Sequence, residues 1–224
     1  MDLRVNSDPD TVARATATLI AFDISDGALT VGLAGGNTPR TAYRMLPGYD
    51  LDWNRVALWV TDERWVPPDD PNSNSRMARE TFVDRTGAAL IAPDYHLGDP
   101  AEAADAYTEK LQLAFRKKGR PGMVLLGLGE DGHTASLFPH TEALQATGRR
   151  YVANWVPQQD AWRLTATFEL LWSARTLVFV VTGSAKAPIL AEIAAGNEDY
   201  PAARVAAGAR EVIWMVDKEA AAGL

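Results

Sequence analysis

The sequence predicts a three-layer α/β fold in which helices cover both faces of a mostly parallel sheet. Short apolar runs at residues 55–60, 123–128 and 176–181 alternate with segments of helical periodicity. This alternation is typical of parallel strands joined by helices. The 224 residues, of which 47% are hydrophobic, are enough to fill a large core. We therefore expect a single domain that spans residues 1–224.

The first half of the chain contains two predicted helices and two predicted strands. Asp8 and Pro9 are typical of a helix start, because aspartate caps free amides and proline fits the first turn. A strand is expected at residues 28–34. It ends in a glycine turn, after which Thr38 is expected to cap the second helix. Residues 55–60 form the next buried strand.

The chain continues with a loop rich in proline, aspartate and asparagine at residues 65–75. Ser73 or Ser75 is expected to cap the helix that follows this loop. A further helix fits residues 100–118. The remaining predicted strands are 123–128, 151–156, 164–168, 176–181 and 211–216, and the remaining predicted helices are 185–195 and 217–222.

Composition excludes several classes of function. The chain has no cysteine, so it forms no disulfide, no thiolate metal site and no cysteine nucleophile. Its start lacks the basic and apolar segments of a signal peptide, and no apolar run has the length of a membrane span. A net charge of −7 argues against nucleic acid as a partner. We expect a cytoplasmic protein with neither a nucleic-acid nor a membrane partner.

Unusual residues follow four of the predicted strands. They are Gly35-Gly36-Asn37-Thr38, Asp62-Glu63-Arg64, the glycine-rich run 127–133, and Thr182-Gly183-Ser184-Ala185-Lys186. The carboxyl ends of parallel strands meet at one edge of a sheet, which is where such folds bind their ligands. We therefore expect all four segments to converge on one rim.

Asp131 and His133 are the candidate catalytic pair. Gly132 between them allows a sharp turn, so that both side chains can face one small space. A carboxylate beside an imidazole fixes its tautomer and stabilises its protonated form, as a general base requires. On the residues alone, a histidine that caps a helix or is satisfied in the core is an equally good interpretation. His96 and His140 lack such a setting and are interpreted as surface residues, and no histidine spacing supports a metal site.

A second group of residues is suited to an anion. The turn at residues 35–39 places flexible backbone amides at the start of a helix, where the helix dipole favours negative charge. Lys186 stands in the first turn of a predicted helix, against that dipole, and Arg163 precedes a predicted strand. An ordinary tight turn and two solvated cations would explain each feature separately. Together with the acid and histidine they suggest a small substrate with a phosphate at one end.

The run from Gly127 to Gly132 also satisfies the G-x-G-x-x-G dinucleotide pattern. We reject this interpretation because Glu130 and Asp131 lie where a pyrophosphate would approach. No acidic strand end follows at the distance that ribose recognition needs.

Longer motifs resemble one enzyme family. They are Gly-Gly-Asn-Thr-Pro at 35–39, Thr-Asp-Glu-Arg-Trp-Val-Pro at 61–67, Leu-Gly-Leu-Gly-Glu-Asp-Gly-His-Thr-Ala-Ser-Leu-Phe-Pro at 126–139, Arg-Leu-Thr at 163–165 and Thr-Gly-Ser-Ala-Lys at 182–186. In this order they resemble the 6-phosphogluconolactonase family over nearly the whole chain. The resemblance implies a Rossmann-like sheet of the kind shared with glucosamine-6-phosphate deaminases and ribose-5-phosphate isomerases.

The resemblance implies hydrolysis of 6-phospho-D-glucono-1,5-lactone, the second step of the oxidative pentose phosphate pathway, without a cofactor. It implies a small-molecule partner and a monomer or weak homodimer. His133 would be the general base and then the acid, Asp131 would orient it, Arg64 would steady the oxyanion, and Asp62 would hold Arg64 or a hydroxyl. The phosphate would be bound by Gly35, Gly36, Asn37, Thr38, Arg163 and Lys186, with Asn37 in place of the family's usual serine.

Two alternatives stay open at this point. Amino-sugar-phosphate deaminases resemble this chain at Asp131-Gly132-His133, but they carry a glutamate where Phe138 stands. A phenyl ring transfers no proton, so Phe138 favours the lactonase. A non-catalytic sugar-phosphate-binding protein is the other alternative, and the absence of a recognisable effector segment argues against it.

Overall fold

A computed structural model describes residues 1–224, which form ten strands and eight α-helices joined by short turns. The strands are β1 (Asp2–Asn6), β2 (Thr30–Leu33), β3 (Ala57–Val60), β4 (Asp62–Arg64), β5 (Ala89–Ile91), β6 (Met123–Leu126), β7 (Tyr151–Val156), β8 (Ala161–Ala166), β9 (Thr176–Val181) and β10 (Val212–Asp217). The helices are α1 (Pro9–Ser25), α2 (Asn37–Met45), α3 (Asn74–Ala78), α4 (Asp84–Thr86), α5 (Pro100–Lys118), α6 (Phe168–Trp172), α7 (Ala187–Ala194) and α8 (Pro201–Ala207).

Seven strands form the central sheet in the order β1-β10-β9-β6-β2-β3-β5, and all of its pairings are parallel. Successive side chains of a strand point to opposite faces, so β6 contributes residues to the hydrophobic core on each face of the sheet. Val124 and Leu126 pack with α5 to α8, whereas Met123 and Leu125 pack with α1, α2 and the segment around Phe82. The predicted α/β architecture with helices on both faces is confirmed.

A second, smaller sheet holds β4, β8 and β7 in antiparallel order. It begins where β3 ends, because the amide of Thr61 still bonds the carbonyl of Leu33 in β2 at 2.9 Å while its own carbonyl accepts from Ala166 in β8. Arg64 and Arg163 are opposite one another in the β4–β8 pair. The small sheet therefore brings a hairpin over the carboxyl end of β3.

Two predicted helix details are wrong. The second helix starts at Asn37 with Gly36 as its N-cap and has no side-chain cap, because Thr38 lies inside the first turn and its hydroxyl contacts Thr182 instead. The closing segment 217–222 forms turns rather than a helix. A segment this short does not form a stable helix by itself, and the Asp217 carboxylate bonds nearby amides of the turns.

The strand predicted at 164–168 is shifted, since the structure has Ala161–Ala166 followed by α6. Thr167 accepts a hydrogen bond from the amide of Leu170 and so starts a helix where a strand was expected. Five short elements, β1, β4, β5, α6 and α8, were not predicted. Ser73 does cap the helix after the long loop, and α5 has the predicted bounds.

The four segments with unusual residues follow β2, β3, β6 and β9, which are consecutive neighbours in the sheet order β9-β6-β2-β3. The predicted convergence on one rim is confirmed. None of the helices combines the length and the apolar character that crossing a lipid bilayer requires.

Candidate active site

A cavity of about 230 Å³ opens at this rim. It contains most of the side chains and glycines singled out in the sequence, whereas Asn37, Thr38 and Asp131 do not line it directly. The sixteen lining residues are Ala34, Gly35, Gly36, Asp62, Arg64, Asn74, Gly127, Leu128, Gly129, His133, Ala135, Ser136, Phe138, Gln159, Arg163 and Lys186.

His133 and Asp131 form the predicted pair. Nδ1 of His133 lies 2.5 Å from Oδ1 of Asp131, and the same oxygen accepts the backbone amide of His133 at 3.1 Å. Burial acts to raise the pKa of the Asp131 carboxyl, but the hydrogen bonds and charge of His133 hold that pKa below its usual value. Asp131 therefore stays ionised and fixes the tautomer that carries its proton on Nδ1. That leaves Nε2 to exchange a proton with a ligand.

Phe138 fixes the plane of the same imidazole. The two rings stack at a centroid distance of 4.0 Å and an interplanar angle of 23°. Phe138 is buried, so its ring is held by the core and cannot swing away. The carboxylate and the phenyl ring together leave the imidazole little freedom to reorient.

The glycines of the β6 loop are required by two close approaches. A Cβ on Gly129 would overlap Nδ1 of His133 and lie 2.6 Å from Oδ1 of Asp131. Gly132 has φ +77°, and a Cβ there would also overlap the ring of Tyr200. The amide of Gly129 bonds the carbonyl of His133 at 2.8 Å, which closes the loop on itself.

Gly129→Ala is expected to lower kcat by about 100-fold, because an imidazole displaced by an ångström loses its productive geometry. The matched control is Gly48→Ala outside the cavity, where an added Cβ meets no atom within 4 Å and no left-handed φ is required. Steady-state kinetics of both variants test this expectation. Similar kcat values for the two would contradict the close-packing argument.

Asp62 is buried at the centre of a polar network. Its Oδ2 accepts the Ser136 hydroxyl at 2.7 Å, and its Oδ1 accepts Nδ2 of Asn74 at 3.2 Å. No ion pair joins Asp62 to Arg64, although the two residues line the same cavity. Asp62 therefore ties the β6 loop to the end of β3, and its contact with a substrate hydroxyl remains a prediction.

Arg64 is positioned by its neighbours rather than by a carboxylate. Its Nη1 donates to the carbonyl of Asn72 at 2.6 Å, whereas its Nε is buried and has no hydrogen-bond partner in the chain. A buried, unpaired guanidinium donor is costly unless a ligand accepts from it. Arg64 is thus suited to bind a substrate oxygen.

Glu63 accepts hydrogen bonds from the backbone amides of both Arg64 and Asn74. Its Oε1 accepts the amides of Arg64 at 2.9 Å and Asn74 at 2.7 Å, and its Oε2 accepts the amide of Ser75 at 2.8 Å and the Ser73 hydroxyl at 3.2 Å. Burial raises the pKa of Glu63, and these donors oppose that rise. Four donors converge on one carboxylate, which fixes the loop between β4 and α3.

The candidate phosphate cations, Arg163 and Lys186, line the same cavity. Arg163, in β8 rather than before it, donates from Nε to Gln159 at 3.0 Å. Burial and the positive charge of Arg64 lower the pKa of Arg163, so two guanidinium groups share a partly buried space. Lys186 lies 3.4 Å from Oε1 of the exposed Glu130. A phosphate would relieve the repulsion between the cations.

The glycine turn before α2 packs against the segment after β9. Gly36 has φ +104° and precedes α2, whose first amides have no intrahelical partner. The Thr38 hydroxyl lies 2.8 Å from that of Thr182, and the amide of Gly183 donates to the Asp217 carboxylate at 3.0 Å. These contacts set the helix start beside Lys186. No group of three or more metal-ligating side chains is present.

The sequence match decides the relationship. The model of the glucosamine-6-phosphate isomerases/6-phosphogluconolactonase family matches residues 7–214. The chain belongs to this family. The 6-phosphogluconolactonase of Nostoc sp. is 38% identical to it over 213 residues, which are 88% of this chain and 85% of that protein.

Two solved structures have the same fold as this chain. The 6-phosphogluconolactonase of Trypanosoma brucei superposes with a TM-score of 0.88 at 28% identity and covers 100% of this chain and 98% of that one. A monomeric glucosamine-6-phosphate deaminase superposes with a TM-score of 0.86 at 21% identity over 100% of both chains, which shows the shared fold alone.

Three polar residues of the cavity were not predicted as part of the site. Asn74 and Ser136 contact Asp62, and Gln159 contacts Arg163. Ser136 stands inside a motif quoted for the resemblance, so its signal was present but was not assigned to a single side chain, whereas Asn74 lies in the predicted 65–75 loop. Gln159 lies in the β7–β8 turn, where nothing in the sequence marked it.

Proposed function

We propose that this chain hydrolyses 6-phospho-D-glucono-1,5-lactone to 6-phospho-D-gluconate, the second step of the oxidative pentose phosphate pathway, as a single domain over residues 1–224. One observation carries the proposal. The imidazole of His133, fixed at Nδ1 by Asp131, lines a cavity of about 230 Å³ that also contains three cations, Arg64, Arg163 and Lys186. We also propose that the enzyme is cytoplasmic and that it is a monomer or a weak homodimer.

In the first step Nε2 of His133 takes a proton from a water molecule as its oxygen attacks the lactone carbonyl carbon. The negatively charged Asp131 stabilises the imidazolium that forms. The carbonyl π electrons move to its oxygen, and the guanidinium of Arg64, which lines the cavity, is the donor available to that oxyanion. A preorganised donor of this kind contributes about 2.7–4 kcal/mol to catalysis.

In the second step the carbonyl re-forms and the bond between the carbonyl carbon and the ring oxygen breaks. The imidazolium returns its proton to the leaving ring oxygen, so His133 ends in its starting state. The net change adds one water to the lactone. No covalent enzyme intermediate and no cofactor is needed.

The phosphate of the substrate is placed at Lys186, Arg163 and the start of α2. Backbone amides at a helix N-terminus and two cations suit a doubly charged group. The remote phosphate would orient the lactone ring while His133 and Arg64 act on its carbonyl. Asn37 lies at the edge of this region, so its side chain is assigned no specific contact.

Phe138 argues against the deaminase alternative. Ring opening of an amino-sugar phosphate requires an acid at this position. The phenyl ring of Phe138, which packs on His133 at 4.0 Å, has no proton to donate. Incubation with glucosamine 6-phosphate is therefore expected to release no ammonia. Sustained ammonia release would favour the deaminase.

The decisive experiment forms the lactone in situ from glucose 6-phosphate with a dehydrogenase and follows its disappearance. The protein is expected to accelerate this loss well above the spontaneous rate. Equal decay with and without the protein would rule out the lactonase. A non-catalytic binding protein would also leave the rate unchanged while still binding 6-phosphogluconate in a calorimetric titration.

Lys186→Ala is expected to raise KM by about 10- to 100-fold with little change in kcat. A charge-assisted hydrogen bond is worth about 1.5–3 kcal/mol, and a contact remote from the reacting carbon contributes equally to ground and transition state. Lys218→Ala, at an exposed turn after β10, is the control. An unchanged KM in the Lys186 variant would remove this residue from the phosphate site.

A further inference from the structure

A second cavity, of about 480 Å³, lies far from the candidate active site and carries an unusual charge. Its eight lining residues are Gln112, Phe115, Arg116, Arg120, Pro121, Arg150, Ser173 and Arg210. Four are arginines and none is acidic, although the chain has seven more acidic than basic residues. We call this cavity, defined by its four arginines, the arginine pocket.

None of the four guanidinium groups has a partner in the chain. The six ion pairs within 4.0 Å all involve other residues, and no side-chain hydrogen bond is made by Arg116, Arg120, Arg150 or Arg210. Like charges repel, and this repulsion is weakened only where solvent or a counter-charge intervenes. No acidic side chain of the protein therefore compensates the charge of the four arginines.

Helix electrostatics account for only one of the four. Arg116 lies in the last turn of α5, where a cation complements the helix dipole. The other three come from separate segments that lead into β6, β7 and β10. Three separate segments, namely the α5–β6 connection and the residues before β7 and β10, therefore converge on one concave surface, which distinguishes the pocket from a single basic helix face.

We propose that the arginine pocket binds a small anion that carries at least two phosphate groups. Each guanidinium offers a planar pair of donors that matches phosphate oxygens. A phosphate monoester carries a charge of about −1.5 to −2 at pH 7, so two such groups balance the four arginines. The volume lies in the range of small-molecule sites, and Phe115 and Pro121 supply an apolar wall.

This pocket is separate from the candidate active site and does not depend on the proposed lactonase reaction. Pro121 precedes β6 and lines the arginine pocket, whereas Gly127 follows β6 and lines the active-site cavity. At about 3.3 Å per extended residue, the two sites lie roughly 20 Å apart along this strand. The two sites therefore lie at opposite ends of β6, the arginine pocket at its amino end and the candidate active site at its carboxyl end.

The test titrates inorganic pyrophosphate into the full chain in a calorimeter and compares it with orthophosphate. Three variants separate the sites: Arg116→Gln/Arg210→Gln in the pocket, Arg163→Gln/Lys186→Ala in the active site, and Lys117→Gln as an exposed control on α5. Arg116 and Arg210 are exposed, so their replacement leaves the fold intact, and unchanged lactone turnover by this double variant checks that.

Pyrophosphate binding is expected to persist in the active-site variant and in Lys117→Gln, and to weaken at least tenfold in Arg116→Gln/Arg210→Gln. Orthophosphate is expected to bind at least tenfold more weakly than pyrophosphate. Loss of all binding in the active-site variant would overturn the proposal, as would equal affinity of the wild type and the pocket variant. Equal affinity for the two anions would also overturn it.

Discussion

His133→Ala is expected to lower kcat for lactone hydrolysis by about 10²- to 10⁴-fold, the usual contribution of a positioned general base. The variant loses the imidazole but keeps the cations that bind the phosphate, so KM is expected to change little. Kinetics on lactone generated in situ, corrected for spontaneous hydrolysis, measure this loss.

The matched control is His140→Asn. His140 is exposed and lies outside the cavity, and asparagine tolerates its φ of +63°. Its kcat is expected to equal that of the wild type. Should His133→Ala retain full acceleration, the assigned base is wrong even if the reaction is right. Thermal melts of both variants show whether lost activity reflects lost structure, since His133→Ala also removes the stack on Phe138.

Glu63→Ala is expected to destabilise the fold by about 1–3 kcal/mol, the cost of leaving a buried donor without its acceptor. The amides of Arg64, Asn74 and Ser75 would lose their acceptor inside the protein. Urea unfolding, followed as a fall in the midpoint at constant slope, measures the effect. Activity is expected to fall as well, because Arg64 and Asn74 both line the cavity.

Glu80→Ala provides the comparison for Glu63. Glu80 is exposed and pairs with Arg76 one helical turn away at 2.6 Å, so its loss is expected to stay within about 0.5 kcal/mol. Glu63→Gln is expected to remain less stable than the wild type, because both oxygens of Glu63 accept N–H groups and an amide NH₂ would face one of them. Equal unfolding midpoints for Glu63→Ala and Glu80→Ala would contradict the network.

The longer elements could be predicted from local patterns, whereas the short ones could not. The bounds of α5 followed from its apolar spacing, and the structure adds the cap by Asp99. By contrast, β1 and β5 have five and three residues and owe their conformation to the neighbouring strand rather than to propensity. Likewise Thr167 gave no local sign that its hydroxyl would start α6 within a predicted strand.

In the candidate site, too, local contacts could be predicted from the sequence, whereas contacts between distant residues could not. The pairing of Asp131 with His133 followed from their spacing and from Gly132, because the contact is local. The network of Asp62 with Ser136 spans 74 residues in sequence, and only the folded chain brings these side chains within 2.7 Å. Sequence patterns also gave no sign that Phe138 would pack face to face on His133.

The pairing of β1 with β10 has a consequence for the order of synthesis. Leu3 lies opposite Trp214, so the second residue of this pair leaves the ribosome some two hundred residues after the first. During that time the nascent chain carries an unpaired strand, and unpaired strands invite pairing with other chains. Asp2 and Arg4, which bond each other at 2.8 Å, place charge on that strand. Because charge disfavours pairing between strand edges, we expect Asp2 and Arg4 to limit aggregation until β10 is made.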